Sequence, residues 1–122
     1  MYNSILHASL IIKDTKNSLM FYHDILGLSI DDDRPDLGFP GAWLNIGAQQ
    51  IHLLELPNPD PVDNRPTHGG RDRHVAIGLS DIDQLMLILK THDITFTTSS
   101  SGRKALFCRD PDGNTLEFIQ KN

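Results

Sequence analysis

Apolar residues fall along this chain in two matching sets, each a continuous apolar run, then a helical stripe, then shorter runs broken by polar residues. Residues 4 to 12 are apolar and β-branched enough for a buried strand, and Asp14 and Thr15 follow with side chains suited to capping a helix. Leu19, Met20, Tyr22, His23 and Leu26 space as a helical stripe, and Gly27 stands where a helix ends in a left-handed conformation. Leu28 to Asp32 predicts a short strand, and Asp33 to Gly41 carries the Gly and Pro punctuation of a loop. Ala42 to Ile46 and Gln50 to Leu56 predict two strands joined by a tight hairpin through Gly47, Ala48 and Gln49.

The second set repeats this order. Arg73 to Leu79 predicts a strand, Ser80 or Asp81 a cap, Ile82, Leu85, Met86 and Leu89 a helix, and Ile94 to Thr97 another strand. Lys104 to Arg109 and Asn114 to Ile119 predict a hairpin around Asp110-Pro111-Asp112-Gly113, whose Pro and Gly have the dihedral preferences of a turn. Pro57 to Asp72 holds four prolines, two glycines and almost no apolar side chain, so it reads as a linker. The expected fold class is α+β: one domain over residues 1–122, with β-α-β-β-β modules at about 3–56 and 73–120 joined by linker 57–72.

Composition narrows the function. With 122 residues the chain is long enough for a core without disulfides, and 39% hydrophobic with 22% charged residues is the balance of a globular protein. No apolar stretch approaches the roughly 18 residues of a membrane helix, and the N-terminal residues lack a signal-peptide pattern, so a cytoplasmic location is expected. A formal charge of -5 argues against nucleic acid as a partner. The nearest basic cluster, Arg65, Arg71 and Arg73 with His68, lies in one loop and suits a small anion. Asp31, Asp32 and Asp33 lack the alternating ligands of a calcium loop and read as a solvated strand end. Cys108, the sole cysteine, sits in an apolar run and reads as packing.

Candidate chemistry lies at matching places in the two sets. His7 and His74 lie early in the opening strands of their sets, while Gln50-Ile51-His52-Leu53 and Thr115-Leu116-Glu117-Phe118 each place one metal-ligating side chain inside an apolar run. Alternation puts His52 on the side of Gln50 and Leu54, turns Glu55 to the opposite side, and aligns Glu117 with Thr115 and Ile119. Three imidazoles and a carboxylate suit zinc, iron, nickel, cobalt or manganese at about 2.0 to 2.2 Å, and four ligands in an octahedral shell leave two positions for substrate oxygens. A single strand histidine is more often a hydrogen-bonded structural residue; the symmetry of the four carries the metal reading.

The whole chain resembles the vicinal oxygen chelate superfamily, which includes glyoxalase, bleomycin-resistance and extradiol-dioxygenase proteins. The resemblance rests on Leu6-His7 with Asp14, Ser18-Leu19-Met20-Phe21-Tyr22 leading to Leu26-Gly27-Leu28, Gln50-Ile51-His52-Leu53, Arg73-His74-Val75-Ala76, and Asp110-Pro111-Asp112-Gly113-Asn114-Thr115-Leu116-Glu117. It implies paired modules whose curved sheets form a metal-binding cup, with His7, His52, His74 and Glu117 as ligands to a divalent ion. It also implies a small-molecule substrate and a homodimer, and the linker is compatible with exchange of modules between chains.

Glyoxalase-like lyases and isomerases resemble the chain in length and layout, but commonly carry a carboxylate where His52 stands, which leaves Glu117 as the expected catalytic base. Extradiol dioxygenases resemble the set through two histidines and a carboxylate, mapping to His7, His74 and Glu117 and leaving His52 behind the ligands or facing the substrate. Fosfomycin-inactivating thiol transferases use the same three places and need cations near the phosphonate, for which Arg65, Arg71, Arg73, Arg103 and Lys104 are the candidates. A metal-free drug-binding protein on the same fold is the non-enzyme alternative. Trp43, Phe39, Arg71 and Arg73 are the expected substrate-binding residues, and Phe107 is expected to pack in the core.

Overall fold

A computed structural model describes residues 1–121. The chain forms two compact units, Met1–Asp60 and Pro61 onward, so their boundary falls inside the expected linker. Each unit is a four-stranded mixed sheet with helix.

In module 1, β1 (His7–Ile12), β2 (Ser29–Ile30), β3 (Gly41–Ile46) and β4 (Gln49–Glu55) are ordered β1-β4-β3-β2, with β1 parallel to β4 and the other pairs antiparallel. The first strand is shorter than expected, beginning at His7. Helix α1 (Thr15–Leu19) continues as a wider π-helical segment, Met20–Ile25, before Gly27 turns the chain at φ 81°. The buried face of the sheet carries Ala42, Leu44, Ile51 and Leu53, which alternate with Trp43 and His52 on the other face.

Module 2 repeats the plan: β5 (His74–Leu79), α2 (Ile82–Thr91), β6 (Phe96–Thr98), β7 (Ala105–Arg109) and β8 (Thr115–Gln120), in sheet order β5-β8-β7-β6. Ile77, Leu106, Leu116 and Phe118 join Ile82, Leu85 and Leu89 of α2 among the buried apolar side chains. The linker residues nearest β5 are not extended throughout; Gly69–Arg71 form a 3-10 turn capped by His68, whose Nδ1 accepts from the Gly70 N–H at 3.0 Å.

Both helices begin alike. Asp14 and Asp81 cap them, accepting from the N–H groups of Asn17 and Gln84 at 3.0 and 3.1 Å. A side chain from the last strand of the same module then takes the first helical N–H: Glu55 Oε1 accepts from Thr15 at 2.7 Å, and Gln120 Oε1 from Ile82 at 3.0 Å. The repeat thus extends to the bonds that join helix to sheet.

Candidate functional site

Strand register places the expected ligands. His74 pairs with Thr115 and Ala76 with Glu117 across β5 and β8, so His74 and Glu117 project from the same face two residues apart in register. His74 Nδ1 lies 2.8 Å from the Asp72 carbonyl, which can only accept, so Nδ1 carries the proton and Nε2 is the lone-pair nitrogen of the neutral ring. That nitrogen stands 3.2 Å from Glu117 Oε1. Two acceptors facing each other need a positive centre between them, either a proton on Nε2 or a metal ion.

The separation suits either, since 3.2 Å is also the length of an N–H···O contact from a protonated ring. Two donors each about 2.1 Å from one ion stand about 3 Å apart in a tetrahedral or octahedral shell. Fixing the far ring nitrogen on a backbone carbonyl is also the usual way a ligating histidine is oriented. Glu117 is 4% exposed, and its other oxygen, Oε2, accepts from Arg103 Nη2 at 3.0 Å. Phe107, the register partner of Glu117, meets the His74 ring edge-on with centroids 5.3 Å apart. Phe107 is buried as expected, yet it packs on the ligand face. Beside it lies a cavity of about 240 Å³ lined by Thr67, Gly69, Thr97, Phe107, Cys108 and Thr115, among others.

The Arg65, Arg71, Arg73 and His68 loop is not a uniform anion cradle. Asp72 takes Arg65 Nε at 3.2 Å and Arg109 Nη1 at 2.8 Å, so Arg65 is committed within the loop. Arg109 also donates to the Gly113 and Pro66 carbonyls, tying the linker to the β7–β8 turn. That turn is organised by Asp110, whose Oδ1 accepts from the N–H groups of Asp112 and Asn114 at 2.9 Å each.

In module 1, His52 lies between two rings. Its register partners are Ser9 on β1 and Trp43 on β3. The His7 ring stacks on it at 3.8 Å and 14°, and the Trp43 ring at 4.2 Å and 6°. Its Nε2 is 2.8 Å from Gln50 Oε1, and the Gln50 amide nitrogen donates to Asp31 Oδ2 at 2.8 Å and Asn45 Oδ1 at 2.9 Å. Burial first, then the neighbouring His7 and Arg34, lower the His52 pKa, against an opposing pull from Asp31. The Asp33 backbone N–H and then Gln50 lower that of Asp31. A concavity of about 540 Å³ opens on this face, with Leu6, His7, Trp43, Asn45, Gln50 and His52 in its lining.

These sheets have the outline of a known family. The sequence profile described as the Glyoxalase/Bleomycin resistance protein/Dioxygenase superfamily matches residues 4–118. The chain belongs to that superfamily. It is similar to Glyoxylase I 4 of Arabidopsis thaliana, 29% identical over 94% of this chain and 69% of the relative. It is also 29% identical to a lactoylglutathione lyase of Haemophilus influenzae, over 95% of this chain and 91% of the relative. Among solved structures, the fosfomycin resistance protein FosX of Listeria monocytogenes shares the glyoxalase-family fold. Its TM-score is 0.74 at 16% identity, covering 98% of this chain and 91% of that one.

Among the described residues no three or more His, Cys, Asp or Glu side chains gather into one cluster. The four expected ligands of this superfamily member occur as two pairs, His7 with His52 and His74 with Glu117, one in each module. Of the expected substrate residues, Trp43 lines the concavity of module 1, whereas Phe39 lies beneath the Arg34 guanidinium at 5.5 Å. Arg71 ends the 3-10 turn, and the Arg73 N–H donates to Asp72. Sequence reading did not assign a role to Gln50, Asn45 and Asp31 together, although alternation already set Gln50 beside His52. No helix among the described residues is long and apolar enough to cross a membrane.

Proposed function

We propose that this chain is a divalent-metal-dependent enzyme acting on a small substrate that chelates through adjacent oxygens, by lyase or isomerase chemistry of the glyoxalase type. The observation that supports it is the 3.2 Å approach of His74 Nε2 to Glu117 Oε1, with the far nitrogen of His74 committed to the Asp72 carbonyl. On this reading His74 and Glu117 supply two ligands from module 2, and the His7 and His52 pair supplies the remainder from module 1. Zinc, nickel, cobalt, iron and manganese all accept such donors.

A bound ion, held by His7, His52, His74 and Glu117, would supply Lewis-acid polarisation of a substrate carbonyl. Glu117 is the group proposed to take a proton from the carbon beside that carbonyl and return it to the neighbouring carbon. Its burial keeps competing water away from the transfer. Trp43, already in the lining of the module 1 concavity, covers the apolar part of the substrate, with Phe39 beside the same sheet and Arg71 and Arg73 receiving an anionic end. The proposed assembly is a homodimer, with exchange of modules between chains as one form. Edge strand β1 and the exposed Tyr2, Ile5 and Leu6 before it offer a surface for pairing.

A second reading draws on Arg103. A guanidinium 3.0 Å from the proposed ligand carboxylate is placed to meet an anionic substrate group, as fosfomycin-type thiol transfer requires. Metal-stripped protein reloaded with each ion in turn, then offered 2-oxoaldehyde–thiol adducts and phosphonate epoxides with thiol, separates the two. His74→Ala and Glu117→Gln should each abolish metal uptake and turnover. If the purified protein takes up no divalent metal and both variants keep small-molecule binding intact, the chain is a metal-free binding protein.

A further inference from the structure

We infer that His52 is a positioning residue, which donates from Nε2 to Gln50 and holds the His7 ring, and that it is not itself a metal ligand. The inference rests on the metal-dependent reading above and reduces its donor set to His7, His74 and Glu117.

Ring planes give the first argument. An imidazole lone pair lies in the plane of its ring, so two imidazoles bind one ion only if their planes meet at that ion, about 2.1 Å from each nitrogen. His7 and His52 are stacked with 14° between their planes and centroids 3.8 Å apart. Planes so nearly parallel do not meet within reach of either nitrogen. Rotation of His52 out of this arrangement is opposed on its other face by Trp43, stacked within 6° of parallel.

Hydrogen-bond direction gives the second. The Asp31 carboxylate only accepts, so the Gln50 group 2.8 Å from Asp31 Oδ2 must be its amide nitrogen. The same nitrogen donates its other hydrogen to Asn45 Oδ1. The Gln50 oxygen therefore faces His52, and the ring atom 2.8 Å away, Nε2, must be the donor. An Nε2 that carries a hydrogen has no lone pair for a metal, which leaves only Nδ1, and its lone pair lies in the ring plane stacked between His7 and Trp43. Asp31, Asn45 and Gln50 come from the segment after β2, from β3 and from β4 respectively, so three parts of module 1 agree on Nε2 as the donor.

His52 consequently does for His7 what the Asp72 carbonyl does for His74: it fixes the orientation of a ligand ring.

Nitrogen-detected histidine spectra of uniformly labelled protein test this directly. In the metal-free protein His52 should show the Nε2–H tautomer, and zinc should move the ring nitrogens of His7 and His74 while leaving the His52 pattern in place. Zinc affinity of His52→Ala should fall about tenfold through loss of the platform. His52→Phe, which keeps a ring but has no nitrogen, should restore affinity to within about threefold. A metal-type shift on either His52 nitrogen, an Nδ1–H tautomer in the metal-free protein, or failure of His52→Phe to rescue His52→Ala would each overturn the inference. If zinc binds nowhere, the metal-dependent reading fails, while the tautomer of His52 and its loss in Gln50→Leu still decide the role assigned here.

Discussion

Arg103 and Glu117 form an ion pair in which Arg103 Nη2 donates to Oε2 at 3.0 Å, leaving Oε1 turned to His74. Arg103 reaches it from the loop before β7 with a half-exposed side chain, while Glu117 is buried. The guanidinium thus supplies positive charge to the carboxylate proposed as a metal ligand, so a bound ion would compete with it.

Removing that competitor should strengthen metal binding. Arg103→Met is expected to raise zinc affinity about two- to fivefold, the range set by a pair with one half-exposed partner worth roughly 0.5 to 1 kcal/mol. Competition against a chromophoric chelator measures it, and the gain should shrink at high salt as the guanidinium is screened. Equal or weaker affinity in the variant would show that Arg103 supports the bound ion instead.

Asp72 ties acid sensitivity to module 2. The hydrogen bond from Arg109 is the largest cause holding its carboxyl below the ordinary value of 3.8, with burial opposing and the Arg73 N–H and Arg65 assisting. A carboxyl whose pKa is lower in the folded than in the unfolded chain contributes stability above the unfolded value, about pH 4, and loses it as pH falls through the folded value. Asp72→Asn should therefore cost roughly 1 to 2 kcal/mol at pH 7 in urea unfolding, with the gap to the parent narrowing below pH 4. A constant gap across that window would separate Asp72 from the acid response.

Cys108 should be silent in the native protein. Burial, assisted by Asp110, pushes its thiol pKa up to about 12, and the residue is 2% exposed. A chromogenic disulfide reagent at pH 8 should label it only after denaturant is added. Rapid labelling of the folded chain would contradict this placement.

Gly41 leaves no room for a side chain. A Cβ there would run into the Leu53 carbonyl, a backbone group fixed in the β3–β4 ladder. Gly41→Ala is expected to destabilise module 1 by about 2 kcal/mol or more, through strand displacement. Thermal unfolding checks it; the parent midpoint in the variant would refute it.

Much of this was legible in the chain. Alternation within Gln50–Leu54 and Thr115–Ile119 set His52 and Glu117 on defined faces and turned Glu55 away, and the register agrees. The Asp14 and Asp81 caps and the Gly27 stop were equally readable, because capping depends on residues within one turn. What escaped depends on side chains meeting across strands. Asp31 read as part of a solvated acidic run, yet it accepts from Gln50 and thereby determines which way the amide faces. Arg103 was one of several cations offered to a substrate, and only the fold of the β6–β7 loop brings it to Glu117. The change from α- to π-helical winding at Met20 has no visible signal in the local sequence.

The bond from Glu55 to the start of α1, repeated by Gln120 and α2, gives each closing strand two assignments that must be met together. Glu55 faces its helix while His52 faces the other way, and Gln120 stands in the same relation to Glu117. A slip of one residue in β4 or β8 would reverse both at once, leaving a helix end without its acceptor and His52 or Glu117 in the apolar layer. Misalignment is therefore punished far from the face where it would matter, and the helix cap proofreads the placement of His52 and Glu117.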